Sequence, residues 1–412
     1  MHEVSLRTEA VRMEPDRRAP VLVGVIWALL VINTLGSQGS TTLVPIPRPV
    51  AQLVTMGAVL LAFALALVLN PRVKIRPSAY LLMLTLLLVV GVIASARLES
   101  GYGALFRCAR LALFIGTLWL LTLWWDDAMA FVRNHIRVLC AVLLTVAAGL
   151  AVAPGMALPA ETGGRLVGVL WPLPPPQIGQ YAAVVAGLAV VLWLGRRTDG
   201  RSLLLVGGPA MVLLLLSHTR TATLALLAGL LVATVSLVMT HRRARLTMVY
   251  GATGAALVMV LFGGAVRSWL ERGQSAENLA TLTGREKVWD ALLTAPRTMF
   301  EQLFGVGLTN KGFGGLPIDS SWLAAYQDQG VVGVALMAVF LVTMLVTAAL
   351  RPPSVERACA IFLIVYCLLA SYTEAALSDA SAYLLNLTVA AALLSRGSSE
   401  PISDIPVKHS HQ

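Results

Sequence analysis

Apolar runs of nearly helical-span length recur along the whole chain, and they leave it one kind of architecture. Inside a hydrocarbon layer each backbone N–H and C=O needs an internal partner, so such runs fold as helices. Crossing takes roughly 17–25 mainly apolar residues. Twelve runs meet or approach that length, at approximately 19–37, 50–69, 78–96, 104–124, 136–153, 178–195, 201–217, 221–240, 246–266, 329–350, 357–373 and 379–395. Hydrophobic residues make up 57% of the chain and charged residues 13%, too apolar for a soluble domain of this size. The reading is an all-α polytopic membrane protein with about twelve transmembrane helices.

Charge sets the expected orientation. Basic residues gather on the cytoplasmic side of membrane proteins. With the N-terminus inside, the inner segments receive Arg7, Arg12, Arg17 and Arg18, then Arg72, Lys74 and Arg76, then Arg133 and Arg137. Arg196, Arg197 and Arg201 follow, then Arg242, Arg243 and Arg245, then Arg351 and Arg357. Both termini are therefore expected in the cytoplasm. The net charge of +10 is mostly this signal. Its dispersal over short loops argues against a nucleic-acid surface. Residues 1–18 and 396–412 read as polar cytoplasmic tails, 19–266 as spans one to nine, 267–328 as a large external loop, and 329–395 as spans ten to twelve. The leader holds Glu3, Glu9, Glu14 and Asp16 and does not read as a secretory signal. Cys108, Cys140, Cys359 and Cys367 fall in apolar runs without CxxC spacing and read as packing residues.

The informative charges are those on the opposite side. Arg220 lies in Ser217-His218-Thr219-Arg220-Thr221, a short polar break between two apolar runs. A guanidinium there costs about 2.5–3.5 kcal/mol near the bilayer centre and less near its edge, so it usually faces protein and meets an anion. Arg165 stands in a Gly- and Pro-rich outer loop, Arg285 in the large loop, and Arg107 and Arg110 one to two turns into span four. Together they suit a phosphate or diphosphate, which accepts bidentate hydrogen bonds. Each has a plainer reading: headgroup snorkelling or an ion pair for Arg107 and Arg110, a solvated loop charge for Arg165, an interfacial anchor for Arg220, a surface-helix charge for Arg285.

Within 267–328, Thr283-Gly284-Arg285-Glu286 fits a helix-capping box, Val288 with Leu292 and Trp289 with Leu293 have helical spacing, and Pro296 closes the helix. Five glycines from Gly305 to Gly315 then make a turn-rich stretch. The outer acids are Glu99, Glu161, Glu286, Asp290, Asp319, Asp328, Glu374 and Asp379. Asp319, directly before Ser320-Ser321-Trp322, is placed to act as a general base or to cap the next helix. His218, beside Arg220, could orient a phosphate or make a structural hydrogen bond. The sequence carries no HExxH, no Cys/His cluster and no nucleotide loop; no metal or cofactor is expected.

Taken in order, these segments resemble the O-antigen ligase and O-antigen polymerase superfamily of bacterial envelope enzymes. The resemblance covers about 160–345. It rests on Gly164-Arg165-Leu166-Val167-Gly168, Ser217-His218-Thr219-Arg220-Thr221-Ala222, Thr283 to Trp289, Phe304-Gly305-Val306-Gly307, and Asp319-Ser320-Ser321-Trp322-Leu323 with Gly330 and Gly333. It implies a GT-C-type glycosyltransferase of the bacterial inner membrane, working at the outer face without a metal. Its donor is a glycan on a polyprenyl diphosphate and its acceptor another glycan or lipid-linked glycan, with membrane lipids around it. Arg220, Arg285 and Asp319 become the catalytic set. Arg165, His218, Lys287, Trp289, Trp322, Arg107 and Arg110 become the substrate-binding set. The family's ligases usually carry His where this chain has Asp319, which favours a polymerase or another envelope-glycan transferase. A flippase for lipid-linked glycans and a non-catalytic scaffold are the competing classes.

Overall fold

Each of the twelve apolar runs carries a helix in the computed structural model, which describes residues 18–36, 42–271, 285–309 and 311–395. The helices are α1 (Arg18–Asn33), α2 (Arg48–Leu69), α3 (Ala79–Ser95), α4 (Tyr102–Leu121), α5 (Ala128–Val152) and α6 (Pro175–Leu194). They continue with α7 (Gly200–Ser217), then α8 (Arg220–Val238) and α9 (Arg242–Glu271). The large loop contains α10 (Arg285–Thr294) and α11 (Met299–Phe304), followed by α12 (Ser321–Leu350), α13 (Val355–Ala370) and α14 (Ala382–Ser395). Among the described residues, six helical stretches are long and apolar enough to cross a membrane, or seven if bent α9 is one span. The described residues are thus all-α apart from one two-residue hairpin, Gly312–Phe313 against Leu316–Pro317, in the glycine-rich stretch.

Helix α6 is buried along nearly its whole length. It packs against α5, α7, α8 and α13. Small residues allow the closest approaches, since lipid tails give helices little hydrophobic reason to associate and contact must come from packing. The ring of Phe362 on α13 fits over Gly187 of α6 and Gly229 of α8. A Cβ at Gly187 would fall 1.9 Å from that ring. A buried polar set ties α1, α5 and α14: the Trp27 indole donates to His135 Nδ1 (3.2 Å), and His135 Nε2 meets Asn386 Oδ1 (2.8 Å). In α7 the ring of Pro209 cannot accommodate the carbonyl of a regular preceding turn; the helix widens into a π-turn over Leu203–Gly207 just before it.

Segments assigned by charge to one side of the bilayer touch one another. At the basic end, Arg76 pairs with Asp126, Arg197 with Glu356 (2.9 Å), and Arg243 donates to the Trp193 carbonyl (3.1 Å). At the other end the outer loops join, as described below.

Three boundaries differ by five or more residues from the sequence reading. Helix α5 starts at Ala128 rather than 136, capped there by the Asp127 side chain, which accepts from Ala130 N–H. Helix α12 starts at Ser321 rather than 329, inside the stretch read as loop, and breaks at Gly330 (φ 66°, ψ −163°). The break arises because the Phe304–Gly307 turn crosses the helix there: a Cβ at Gly330 would lie 2.4 Å from the Leu303 carbonyl carbon, and one at Gly305 equally close to that of Asp328. Helix α9 runs on to Glu271, past the expected end at 266, because nothing in Val266–Glu271 breaks a helix. The terminal tails and the expected N-cap Thr283 lie outside the described residues. Among described residues, a full capping box forms one helix later, at Thr298 and Glu301. Gly330→Ala should weaken the protein by about 1–3 kcal/mol through backbone strain alone. It should lower the unfolding temperature in detergent and speed proteolysis of the 285–320 segment; unchanged values for both would contradict the interlock.

Candidate active site

The α7–α8 turn positions the first guanidinium. His218 ends α7 in the left-handed region (φ 48°, ψ 36°), and Thr219 is extended, so α8 begins on Arg220. This tight turn lies directly on α6. A Cβ at Gly179 would come within 2.7 Å of Thr219 Cβ and 2.9 Å of Ser217 Oγ, and Thr219 Oγ1 donates to the Pro175 carbonyl (3.1 Å). The preceding outer loop is stitched to the same turn. Leu166 N–H donates to the Leu216 carbonyl (3.0 Å) and Arg165 Nε to that of Ser217 (3.2 Å). Arg165 and Arg220 are thereby held near each other. Burial holds the Arg165 guanidinium below its ordinary range, Glu374 opposes this, and Arg285 and Arg220 reinforce it.

Arg285 enters from the large loop. Helix α10 buries Val288 and Leu292 against Ile318 and Ala324, while Leu293 is exposed. Trp289 meets Tyr372 edge to face at 5.6 Å. That docking brings Arg285 Nε to 3.1 Å from Asp319 Oδ2, with the two side chains 28% and 39% exposed. The reading of Asp319 as a helix cap is therefore corrected. The N-cap of α12 is Ser320, which makes no side-chain cap bond, and the Asp319 carboxylate is drawn to Arg285 instead.

The residue that sequence reasoning passed over is Glu374. It lies in the 371–381 connection between α13 and α14, which Ser321 organises. Ser321 Oγ donates to the Glu374 carbonyl and accepts from Ala376 N–H (3.0 Å) and Leu377 N–H (3.3 Å). Trp322 Nε1 donates to Ser371 Oγ (3.1 Å), and Thr373 Oγ1 meets Thr221 Oγ1 (2.7 Å), one residue beyond Arg220. Burial pushes the Glu374 carboxyl up to about 7 and Asp319 adds to the rise, while Arg285 and Arg165 pull the other way. A polar break between two apolar runs, Ser371-Tyr372-Thr373-Glu374, was the available signal. It is the same kind of signal that singled out Arg220.

Six candidates remain. Arg107 donates to the Leu308 carbonyl (3.0 Å) and Arg110 to that of Asn33 (2.6 Å), so each ties its helix to another segment. Trp289 packs on Tyr372 and Trp322 bonds to Ser371, both in the α13–α14 connection. Lys287 is exposed on α10, and His218 is half-buried beside Arg220. The site thus gathers Arg165, Arg220 and Arg285 from three elements, with Asp319 paired to Arg285 and Glu374 within electrostatic reach of Arg285 and Arg165. Three guanidiniums against two carboxylates leave an excess of positive charge at one end of an apolar bundle, which suits a polyanionic headgroup. No family model matches the chain, and no curated protein matches it.

A raised carboxyl fixes the sign of a pH effect. Between the ordinary carboxylate value, 4.5, and about 7, the unfolded chain has shed its Glu374 proton and the folded protein still holds it. The native state binds more protons there, so stability falls as pH rises through that window and levels off above it. Glu374→Gln should remove that slope. Thermal unfolding of wild type and variant from pH 4.5 to 8 checks it, and parallel curves would contradict the assignment.

Proposed function

We propose that the protein is a membrane glycosyltransferase that takes a glycan from a polyprenyl-diphosphate donor and joins it to an acceptor hydroxyl. The observation that carries this reading is the convergence of Arg165, Arg220 and Arg285 around Asp319 and Glu374, at the end of the bundle opposite its basic loops. The reading places twelve spans of GT-C type in a bacterial inner membrane, both termini in the cytoplasm and the site at the outer face. A lipid-borne diphosphate fits such a location, since its tail stays in the bilayer while its phosphates reach the arginines.

The acceptor oxygen attacks the anomeric carbon. Its O–H bond breaks and Asp319, half-exposed at the mouth, takes the proton as general base. The bond from the anomeric carbon to the phosphate oxygen breaks, and its electron pair leaves with the polyprenyl diphosphate. Arg220 and Arg285 stabilise that growing charge from fixed positions, which in a site shielded from water contributes far more than in bulk solvent. Attack opposite the leaving group inverts the anomeric centre. Asp319 has a second duty, holding Arg285 in place by its Nε.

Purified protein supplied with a defined polyprenyl-diphosphate oligosaccharide tests the reading. A ladder of products identifies a polymerase, and a single addition to a different acceptor identifies a ligase. Arg220→Ala and Arg285→Ala should each lower transfer by roughly a hundredfold or more, the scale of removing one charge-stabilising donor, with the same elution profile as wild type. No release of polyprenyl diphosphate by the wild type, or full activity in either variant, overturns the proposal and leaves transport of a lipid-linked glycan as the alternative.

A further inference from the structure

A diphosphate entering this site meets two carboxylates as well as three guanidiniums. Asp319 already has a guanidinium at 3.1 Å. Glu374 is differently placed. Its backbone is fixed by Ser321 and by the Thr373–Thr221 contact, and the residue is half-buried beside the Arg285–Asp319 pair. The charged groups that act on it are Asp319, Arg285 and Arg165. Arg220 acts on Arg165 from the α8 side. The same connection also carries Asp379, 3.9 Å from Lys311 Nζ, which donates to the Ala375 carbonyl.

Once phosphate oxygens engage Arg165 and Arg285, the two groups that favour an ionised Glu374 are neutralised, and a new anion stands nearby. Like charges at close range disfavour joint ionisation. The least costly relief is a proton on the carboxylate, and a neutral carboxyl gains an O–H that can donate to a phosphate oxygen. We propose that the site binds its diphosphate together with one proton, and that Glu374 carries that proton as a donor to the phosphate. The proton comes from bulk solvent, so the bound complex holds one more than the separate partners. This rests on the diphosphate reading above and adds a further binding residue to it.

Inorganic pyrophosphate is the probe, titrated calorimetrically into detergent-purified protein at pH 6.5, 7.5 and 8.5, in buffers of two different ionisation enthalpies. Above pH 7, uptake of one proton weakens affinity about tenfold per pH unit by linkage, on top of whatever the probe's own titration contributes. That contribution is common to every variant and cancels in the comparison. Wild type should therefore lose about tenfold more affinity per unit than Glu374→Gln, and the difference in proton uptake should be close to one. Glu374→Asp should restore the slope, and Asp319→Asn should keep it. Equal slopes and equal proton uptake in wild type and Glu374→Gln overturn the proton assignment and leave the diphosphate site standing. An absence of pyrophosphate binding in folded wild type at every pH overturns both.

Discussion

The hydrocarbon layer forbids unpaired backbone, and that prohibition decides where this protein can do chemistry. Irregular backbone at membrane depth is tolerated only where protein or a water-filled cavity covers it. The apolar runs therefore stay helical apart from the π-turn of α7, the kink of α9 at Phe262 and the break of α12 at Gly330, and turns, caps and charges collect at their two ends. One end is basic and stitched by ion pairs. The other collects Arg165, Arg220, Arg285, Asp319 and Glu374 from four separate connections. Neutral bonds link the pieces: Leu166 to Leu216, Thr221 to Thr373, Ser321 to the 371–377 connection. The charges themselves could not have assembled the site, since three of the five repel one another.

Most of the helical framework was legible in the sequence, because an apolar run of membrane-spanning length has few other ways to satisfy its backbone. Arg220 was legible for a related reason: a permanent charge between two apolar runs demands a partner. The pairing of Arg285 with Asp319 was not legible, because it depends on how α10 docks through Val288 and Leu292. Chain pattern fixes which face of a short helix is apolar but not which surface receives it. The break in α12 also escaped, as Gly330 within an apolar run looks like an ordinary small packing residue until the Gly305 turn is found lying across it. Glu374 was visible but indistinguishable from seven other outer acids. What sets it apart is its placement beside Asp319, Arg285 and Arg165, and that is a property of the folded arrangement.

Asp319 and Glu374 have different surroundings. One pairs directly with a guanidinium; the other feels Arg285 and Arg165 while burial and Asp319 push its carboxyl up. The same pair of residue types can thus serve opposite proton roles within one site.

Ser321 has a consequence beyond anchoring a turn. Its single oxygen bonds three backbone groups around Glu374, and the residue stands two positions after Asp319. The separation of the two acids is accordingly a property of one hydroxyl rather than of two independent loops. Neither acid can drift without the other, whereas Arg165 and Arg220 hang from a different framework, built on α6 and Gly179. Any change of shape at the site would have to come from the arginine side and the loop before α6, leaving the backbone spacing around the two acids as its fixed reference.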